Sequence, residues 1–486
     1  MKIALVVGSG IAGLAIALRL RAKGYDVKVF DRNPYTGGKL AELRLGSYRF
    51  DAGPSLFTLP EQVDELFSLF GENPREHFNY MQLPCVCNYF WDDGQAFSAS
   101  AQPETFVNEA AHVFGVKPEI IKKYLNHSRF VYETTAPVFL ERSLHQLRNF
   151  LNYETLRGIW RMPKLGIFGV LHQNNKIRLG NERLTQLFDR YATYNGSDPY
   201  RAPAVLQSIP HLEYHTGAFM PSGGMRAIIN SLTKLAQRHG VEFMLSTSVE
   251  RIITENGRAT GIIAGGKSYN AQIIVCNSDV FSAYRMLLPE QKAPERILGQ
   301  ERSSSALIFY WGIKKRFEAL DVHNIFFSKD YKKEFAQIFE GKDISDDPTV
   351  YVHITSSVEK DDAPEGCSNW FVMINVPGNT GQNWAELRSK ARAAIIRKLG
   401  RCLGANLTEL IEEEDYLDPP RIEKRTGSHQ GSLYGAASNS MFSAFLRHPN
   451  FSGPIKNLWF CGGSVHPGGG IPLCLKSAKI AAQMIR

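Results

Sequence analysis

Gly8, Gly10 and Gly13 form the pattern G-x-G-x-x-G in VVGSGIAGL, and an acid, Asp31, closes the next apolar segment, YDVKVFD. These residue types suit one task. A glycine turn lets backbone approach a pyrophosphate, and the helix that opens there points unpaired N–H groups at the anion. A carboxylate at the next strand end accepts hydrogen bonds from a ribose diol and repels a 2′-phosphate. Gly8 would make the tight turn, Gly10 the close approach and Gly13 the contact between helix and sheet, with Ile11 and Ala12 at the helix start. The spacing alone is weak evidence; its setting between Ile3–Val7, a helix to about Lys23 and a second strand makes it strong. With Lys2 ahead, the stretch also has the look of a secretory signal. Arg19, Arg21 and Lys23, followed at once by Gly24 and another strand, argue against export.

Two further glycine turns follow closely, Gly37-Gly38-Lys39 and Phe50-Asp51-Ala52-Gly53-Pro54-Ser55. So much exposed backbone behind a dinucleotide turn implies a cofactor enclosed along more of its length than NAD usually is, and FAD fits. From about Glu61 to Arg201 the pattern is helical, with few strands. Residues 221–279 read as helix, strand, a hairpin with turns at Asn256-Gly257 and Gly265-Gly266, and a strand. ALIFYWGI, TVYVHITSSV and WFVMINVP, between Ser303 and Pro377, alternate as antiparallel strands do. A helix, AELRSKARAAIIRKLGRCLG, follows, and LWFCGGSVHPGGGIPLCLKSAKIAAQMIR closes the chain as strand, glycine turn and helix. The expected class is α/β, a Rossmann-like FAD-binding domain with an inserted mixed α+β domain. Residues 1–75, 215–290 and 418–486 are assigned to the first domain, and 76–214 and 291–417 to a substrate-binding and membrane-associating domain.

At 486 residues the chain can bury a large core, and no spanning helix is expected, because apolar runs of 18 or more residues are absent. Seven scattered cysteines without a CxxC pair point to reduced thiols in a cytoplasmic setting, not to disulfides or zinc. The net charge of +8 suits an anionic membrane surface, since no nucleic-acid motif accompanies it. One motif is a decoy. GIIAGGKS, residues 261–268, matches a P-loop in full, but a P-loop needs a helix after Lys-Ser, and Ser268 leads into the strand YNAQIIVC.

Together VVGSGIAGL, Gly37-Gly38-Lys39, FDAGPS, HLEYHTGAFMPSGGM, SVERI and HPGGGIPLCLKSAK resemble the bacterial-type carotenoid (phytoene) desaturases, a branch of the superfamily that includes amine oxidases. The resemblance spans nearly the whole chain. It implies non-covalent FAD, with Gly8, Gly10 and Gly13 on the pyrophosphate and Asp31, with Arg32 beside it, at the adenosine ribose. It puts Gly38 and Lys39 near the phosphates, Gly53, Pro54 and Ser55 near the flavin, and Val249 on the adenine through its backbone. Gly463 and Ser464 would touch the pyrophosphate or ribityl chain, and Gly470, Ile471 and Pro472 would cap the flavin at the last helix's N-terminus. Asp31 stands where Glu is common, and Lys39 where Arg is common. Lysine keeps the charge but loses the bidentate fork.

Desaturation sends a hydride from carbon to the flavin and leaves an allylic cation whose neighbouring C–H is acidic, so a weak base or water suffices. Glu213, His215 and His466 are the candidate proton acceptors, with a buried ion pair for Glu213 and a turn-holding role for His466 as the plain alternatives. The implied substrate is a hydrophobic carotenoid, with oxygen or a quinone as electron acceptor. Within the family the sequence is most similar to the branch that forms the 3,4 double bond of a 1-hydroxylated carotenoid, such as a 1′-hydroxy-γ-carotene, ahead of phytoene desaturation. A soluble-substrate amine-type oxidase and a flavin-free isoprenoid carrier are the rivals; the latter lack the intact glycine fingerprint. Basic and bulky apolar residues mix in His145 to Leu171, which suits a helix lying in the interface at the cytoplasmic face of a membrane, without crossing it, with an ordinary amphipathic helix packed on the core as the plain alternative.

Overall fold

The computed structural model describes residues 2–486 except 147, 148, 150–157, 159, 161–164, 167 and 168. Most of the interfacial segment anticipated at 145–171 lies outside the described residues. The chain begins with β1 (Ile3–Val7), α1 (Ile11–Ala22) and β2 (Asp26–Phe30). β1 is the centre of a five-stranded parallel sheet, flanked by β2 and Glu242–Met244 on one side and by Ile273–Cys276 and Leu458–Phe460 on the other. A helix that is apolar on every side must be covered on every side. α1 is buried from Ile11 to Leu20, packed between this sheet, the helix Arg226–Arg238 and the terminal helix Ile471–Met484.

The second sheet has seven strands, in the order 411–417, 305–313, 368–376, 350–353, 323–326, 85–90 and 96–100. All neighbours are antiparallel except His323–Phe326 with Cys85–Phe90. Its strand Ser305–Ile313 is buried at all nine positions, which requires cover on both faces. Leu307, Phe309 and Trp311 pack on the helix Trp384–Leu403, while Ala306, Ile308 and Tyr310 face the hairpin residues Tyr48 and Phe50. The five-stranded sheet draws its strands from residues 3–30, 242–276 and 458–460, and the seven-stranded sheet from 85–100 and 305–417. A short ladder, Tyr80–Gln82 with Phe219–Pro221, ties the two regions together.

Cys85–Phe90 and Ala96–Ser100 fall in the stretch that reads as mainly helical. Their sheet partner, His323–Phe326, lies far along the chain, so no local pattern announces it; the Asp93-Gly94 turn between them is the available signal. The P-loop match is a hairpin: strands 258–264 and 267–270 flank Gly265-Gly266, and Lys267 is exposed. Cys85, Cys87, Cys276, Cys367, Cys402, Cys461 and Cys474 are all free thiols. Among the described residues no helix is long and apolar enough to cross a membrane.

Candidate active site

Parallel strands all end at one edge, and in open α/β sheets ligands bind beyond the carboxyl ends. Here β1 ends at Gly8, β2 at Asp31, Ile273–Cys276 at Asn277 and Leu458–Phe460 near Gly462. All four positions line one cavity of about 630 Å³, which continues past the seven-stranded sheet to Arg190, Glu213 and Tyr331.

Gly8 has φ +96°, a conformation that side chains other than glycine rarely adopt. Gly13 makes a close approach: a Cβ there would sit 2.0 Å from the Gly8 carbonyl oxygen. Gly13 does not line the cavity; it lets α1 begin where Gly8, Gly10, Ile11 and Ala12 do. Asp31 also lines the cavity. Its Oδ2 accepts from the backbone N–H of Ser9 at 2.8 Å and the Ser9 hydroxyl at 2.7 Å, and Oδ1 accepts from Asn33 N–H at 2.9 Å. The carboxylate is therefore fixed in place with lone pairs to spare. Arg32 is exposed and donates to the Lys424 carbonyl. Val249 lines the wall at the start of its strand.

Gly38 and Lys39 stand on the same wall, beside the bridge between Gly10 and Gly37. Lys39 Nζ donates to the carbonyls of Ser432 and Leu433 at 3.1 and 2.8 Å, and burial pulls its pKa down to about 8. Gly53, Pro54 and Ser55 line the cavity next to it, and so do Gly463, Ser464, Gly470, Ile471 and Pro472. Gly470 is the N-cap of the terminal helix, so two helix N-termini open on one space. That arrangement suits a ligand with more than one anionic region.

The three proton-acceptor candidates separate. Glu213 lines the cavity but is fully buried, and its carboxylate is spoken for: Arg190 Nη2 donates to it at 2.8 Å, and the hydroxyls of Tyr191 and Tyr194 donate as well. It is the buried ion pair. His215 does not line the cavity. On the tight turn Leu212–Thr216 successive side chains diverge, so Leu212 and Glu213 face the space while the His215 ring packs 4.7 Å from that of His211. His466 lines the cavity; its Nε2 donates to the Arg142 carbonyl at 2.8 Å, and burial lowers its pKa to about 4. The imidazole is neutral, with its lone pair on Nδ1.

Several cavity residues escaped the sequence reading. Asn277 donates to the Gly8 carbonyl at 3.2 Å. Asp279, also on the wall, pairs with Arg302. Arg447 is fully buried on the wall and makes no ion pair with any described carboxylate; it donates to the Tyr434 carbonyl at 2.9 Å, its Nε has no partner, and burial lowers its pKa to about 10. Asn277 could have been found, because VCNSD ends a strand of the parallel sheet. Arg447 carries no such signal. A buried cation without a counter-ion costs several kcal/mol, so this wall is built for an anion. The glycine cradle, the two helix N-termini and Arg447 together fit FAD.

The chain belongs to the flavin-containing amine oxidoreductase family, whose model matches residues 11–486. It is an FAD-dependent oxidoreductase. It is 54% identical to the 1-hydroxycarotenoid 3,4-desaturase of Flavobacterium sp. (strain P99-3), over 100% of this chain and 99% of that one. It is 32% identical to the phytoene desaturase of Neurospora crassa, over 99% of this chain and 84% of the relative. Among solved structures, an oxidoreductase from Methanosarcina mazei superposes with a TM-score of 0.66 at 14% identity, covering 99% of this chain and 100% of the other. That likeness speaks to the fold.

Proposed function

We propose that this protein is a carotenoid desaturase that introduces the 3,4 double bond into the end of a 1-hydroxylated carotenoid. The observation that carries the reading is the full-length 54% identity to an enzyme of that name, and the cavity agrees with it. Beyond the glycine turns its wall is largely apolar, with Leu56, Leu206, Ile209, Ile308, Phe371 and Met373 along it. A polyene fits such a wall, and a charged amine does not.

FAD, when bound, supplies the acceptor for the hydride that leaves carbon. The chain's own residues do the rest. Gly8, Gly10, Ile11 and Ala12 would hold the pyrophosphate, Asp31 the ribose, and the N-terminus at Gly470, Ile471 and Pro472 the anionic edge of the ring. The apolar wall orients the substrate and excludes water. The proton on the neighbouring carbon is acidified by the developing cation, so a weak acceptor is enough. Glu213 is saturated by three donors and His215 is off the wall; His466, neutral on the wall, is the candidate that remains.

Membrane access belongs to the same reading. Met286 and Phe445 line the cavity, and the large apolar residues Met286, Phe442 and Leu446 are exposed nearby. With a net charge of +8, these features support a peripheral position on the cytoplasmic face of a bilayer, from which the substrate enters; oxygen or a membrane quinone would take the electrons. The test is turnover in liposomes that carry 1-hydroxy-γ-carotene or phytoene. A red-shifted product with one more conjugated double bond from the hydroxylated substrate is expected. Conversion of phytoene alone would favour the second reading, phytoene desaturation, to which the 32% identity points.

A further inference from the structure

An apolar tunnel that takes a hydroxylated polyene must also pay for one hydroxyl, because a buried, unpaired hydroxyl is costly. Two clusters of hydrogen-bonded polar side chains line the cavity beyond the dinucleotide turn at Gly8 and Gly10. At the first, Arg190 and Glu213 satisfy each other and three tyrosines, and offer a charged pair that needs nothing more. The second is uncharged. Ser55 Oγ and the Tyr351 hydroxyl share a hydrogen bond at 2.9 Å, and the Tyr351 hydroxyl shares another with His323 Nδ1 at 2.8 Å. All three residues line the cavity, and Ser55 and Tyr351 are only partly buried there.

Counting protons shows what this chain of groups leaves open. If Nδ1 donates to Tyr351, Tyr351 donates to Ser55 and the Ser55 proton is free. If Tyr351 donates to Nδ1, Ser55 donates to Tyr351 and the Ser55 oxygen remains an acceptor. In both cases Ser55 keeps a free function at the cavity, while the other open end of the chain, His323 Nε2, is buried behind it; an alcohol complements Ser55 either way, since it is donor and acceptor at once. The station is rigid as well. Asp51, at the start of the Ser55 turn, accepts from Arg49 and from the Met225 N–H, each at 2.8 Å, and the Tyr310 hydroxyl donates to the Ala52 carbonyl at 3.1 Å. His323 is fully buried, stacks on His353 with ring centroids 5.0 Å apart, and is held neutral by its burial.

We infer that Ser55 and Tyr351, anchored by His323, form the subsite for the tertiary hydroxyl of a 1-hydroxylated carotenoid and so select that substrate over its non-hydroxylated counterpart. The inference rests on the desaturase reading above. Its position is consistent: only one carbon separates the hydroxyl-bearing carbon from the new double bond, so the subsite must adjoin the reacting end, and Gly53 of the same turn packs on the Lys39 carbonyl in the cofactor wall.

The experiment compares kcat/KM for 1-hydroxy-γ-carotene and γ-carotene, each in liposomes, for the FAD-loaded wild type, Tyr351→Phe and Ser55→Ala. The wild type should prefer the hydroxylated substrate, and each variant should lose about tenfold or more of that preference, every rate being counted per bound FAD, measured by absorbance. A preference unchanged in variants that hold FAD, or a wild type that does not discriminate, overturns the inference and leaves the desaturase reading standing. A wild type that turns over neither substrate overturns both. Should Tyr351→Phe not accumulate, Ser55→Ala decides.

Discussion

Arg190 Nη2 lies 2.8 Å from Glu213 Oε2, both side chains are out of solvent, and together they close the far end of the cavity with charge that is internally cancelled. Removing one partner of such a pair strands the other. Glu213→Gln should therefore destabilise the protein by about 3 kcal/mol, measured by denaturant unfolding, while turnover per bound flavin in the folded fraction stays within a few fold. A catalytic loss at unchanged stability would instead make Glu213 a proton acceptor.

Arg447 gives an opposite signature. Its charge is buried with no carboxylate of the described residues beside it, so Arg447→Met should raise the unfolding temperature of the cofactor-free protein and shrink the stabilisation that added FAD confers, as binding linkage requires. Thermal unfolding with and without FAD reads both changes. Arg447→Lys should restore part of the FAD-dependent shift.

Gly13→Ala tests the close approach of α1 to β1. A methyl group 2.0 Å from the Gly8 oxygen must push the helix start away, which moves its N–H groups from the cavity. The variant should purify with little FAD, and its unfolding free energy should fall by about 3 kcal/mol or more.

His448 and His466 are both buried and neutral, each with its pKa lowered by burial from 6.5 to about 4. An unfolded chain takes up protons at these positions between pH 6.5 and 4, and the folded one does not. Stability is thus full above pH 6.5 and is lost as pH falls towards 4. Urea unfolding at intervals from pH 7.5 to 4.5 should show this slope. His127, His211 and His353, lowered in the same way to about 4, add to the slope, and His448→Gln, which removes one contributor, should flatten it whatever its effect at pH 7.5.

The legible part of this molecule was local. Gly8, Gly10 and Asp31 announce a strand, a turn and a helix within one short stretch, and Ile471 and Pro472 follow a glycine turn in the same way. Each pattern needs only neighbouring residues to be read. The three-stranded ladder at 249–270 was equally plain, because Asn256-Gly257 and Gly265-Gly266 mark both of its turns.

What the sequence determined by itself is the βαβ unit with its glycine spacing, because backbone sterics act between residues close in the chain. Which side chains meet across the cavity was decided only by the tertiary structure. His323 reaches Tyr351 and Ser55 through a sheet whose strands come from distant segments, and Arg447 is left without a counter-ion among the described residues by a wall assembled from several loops. Hydrogen bonding and desolvation depend on distance in space, and no spacing along the chain encodes that.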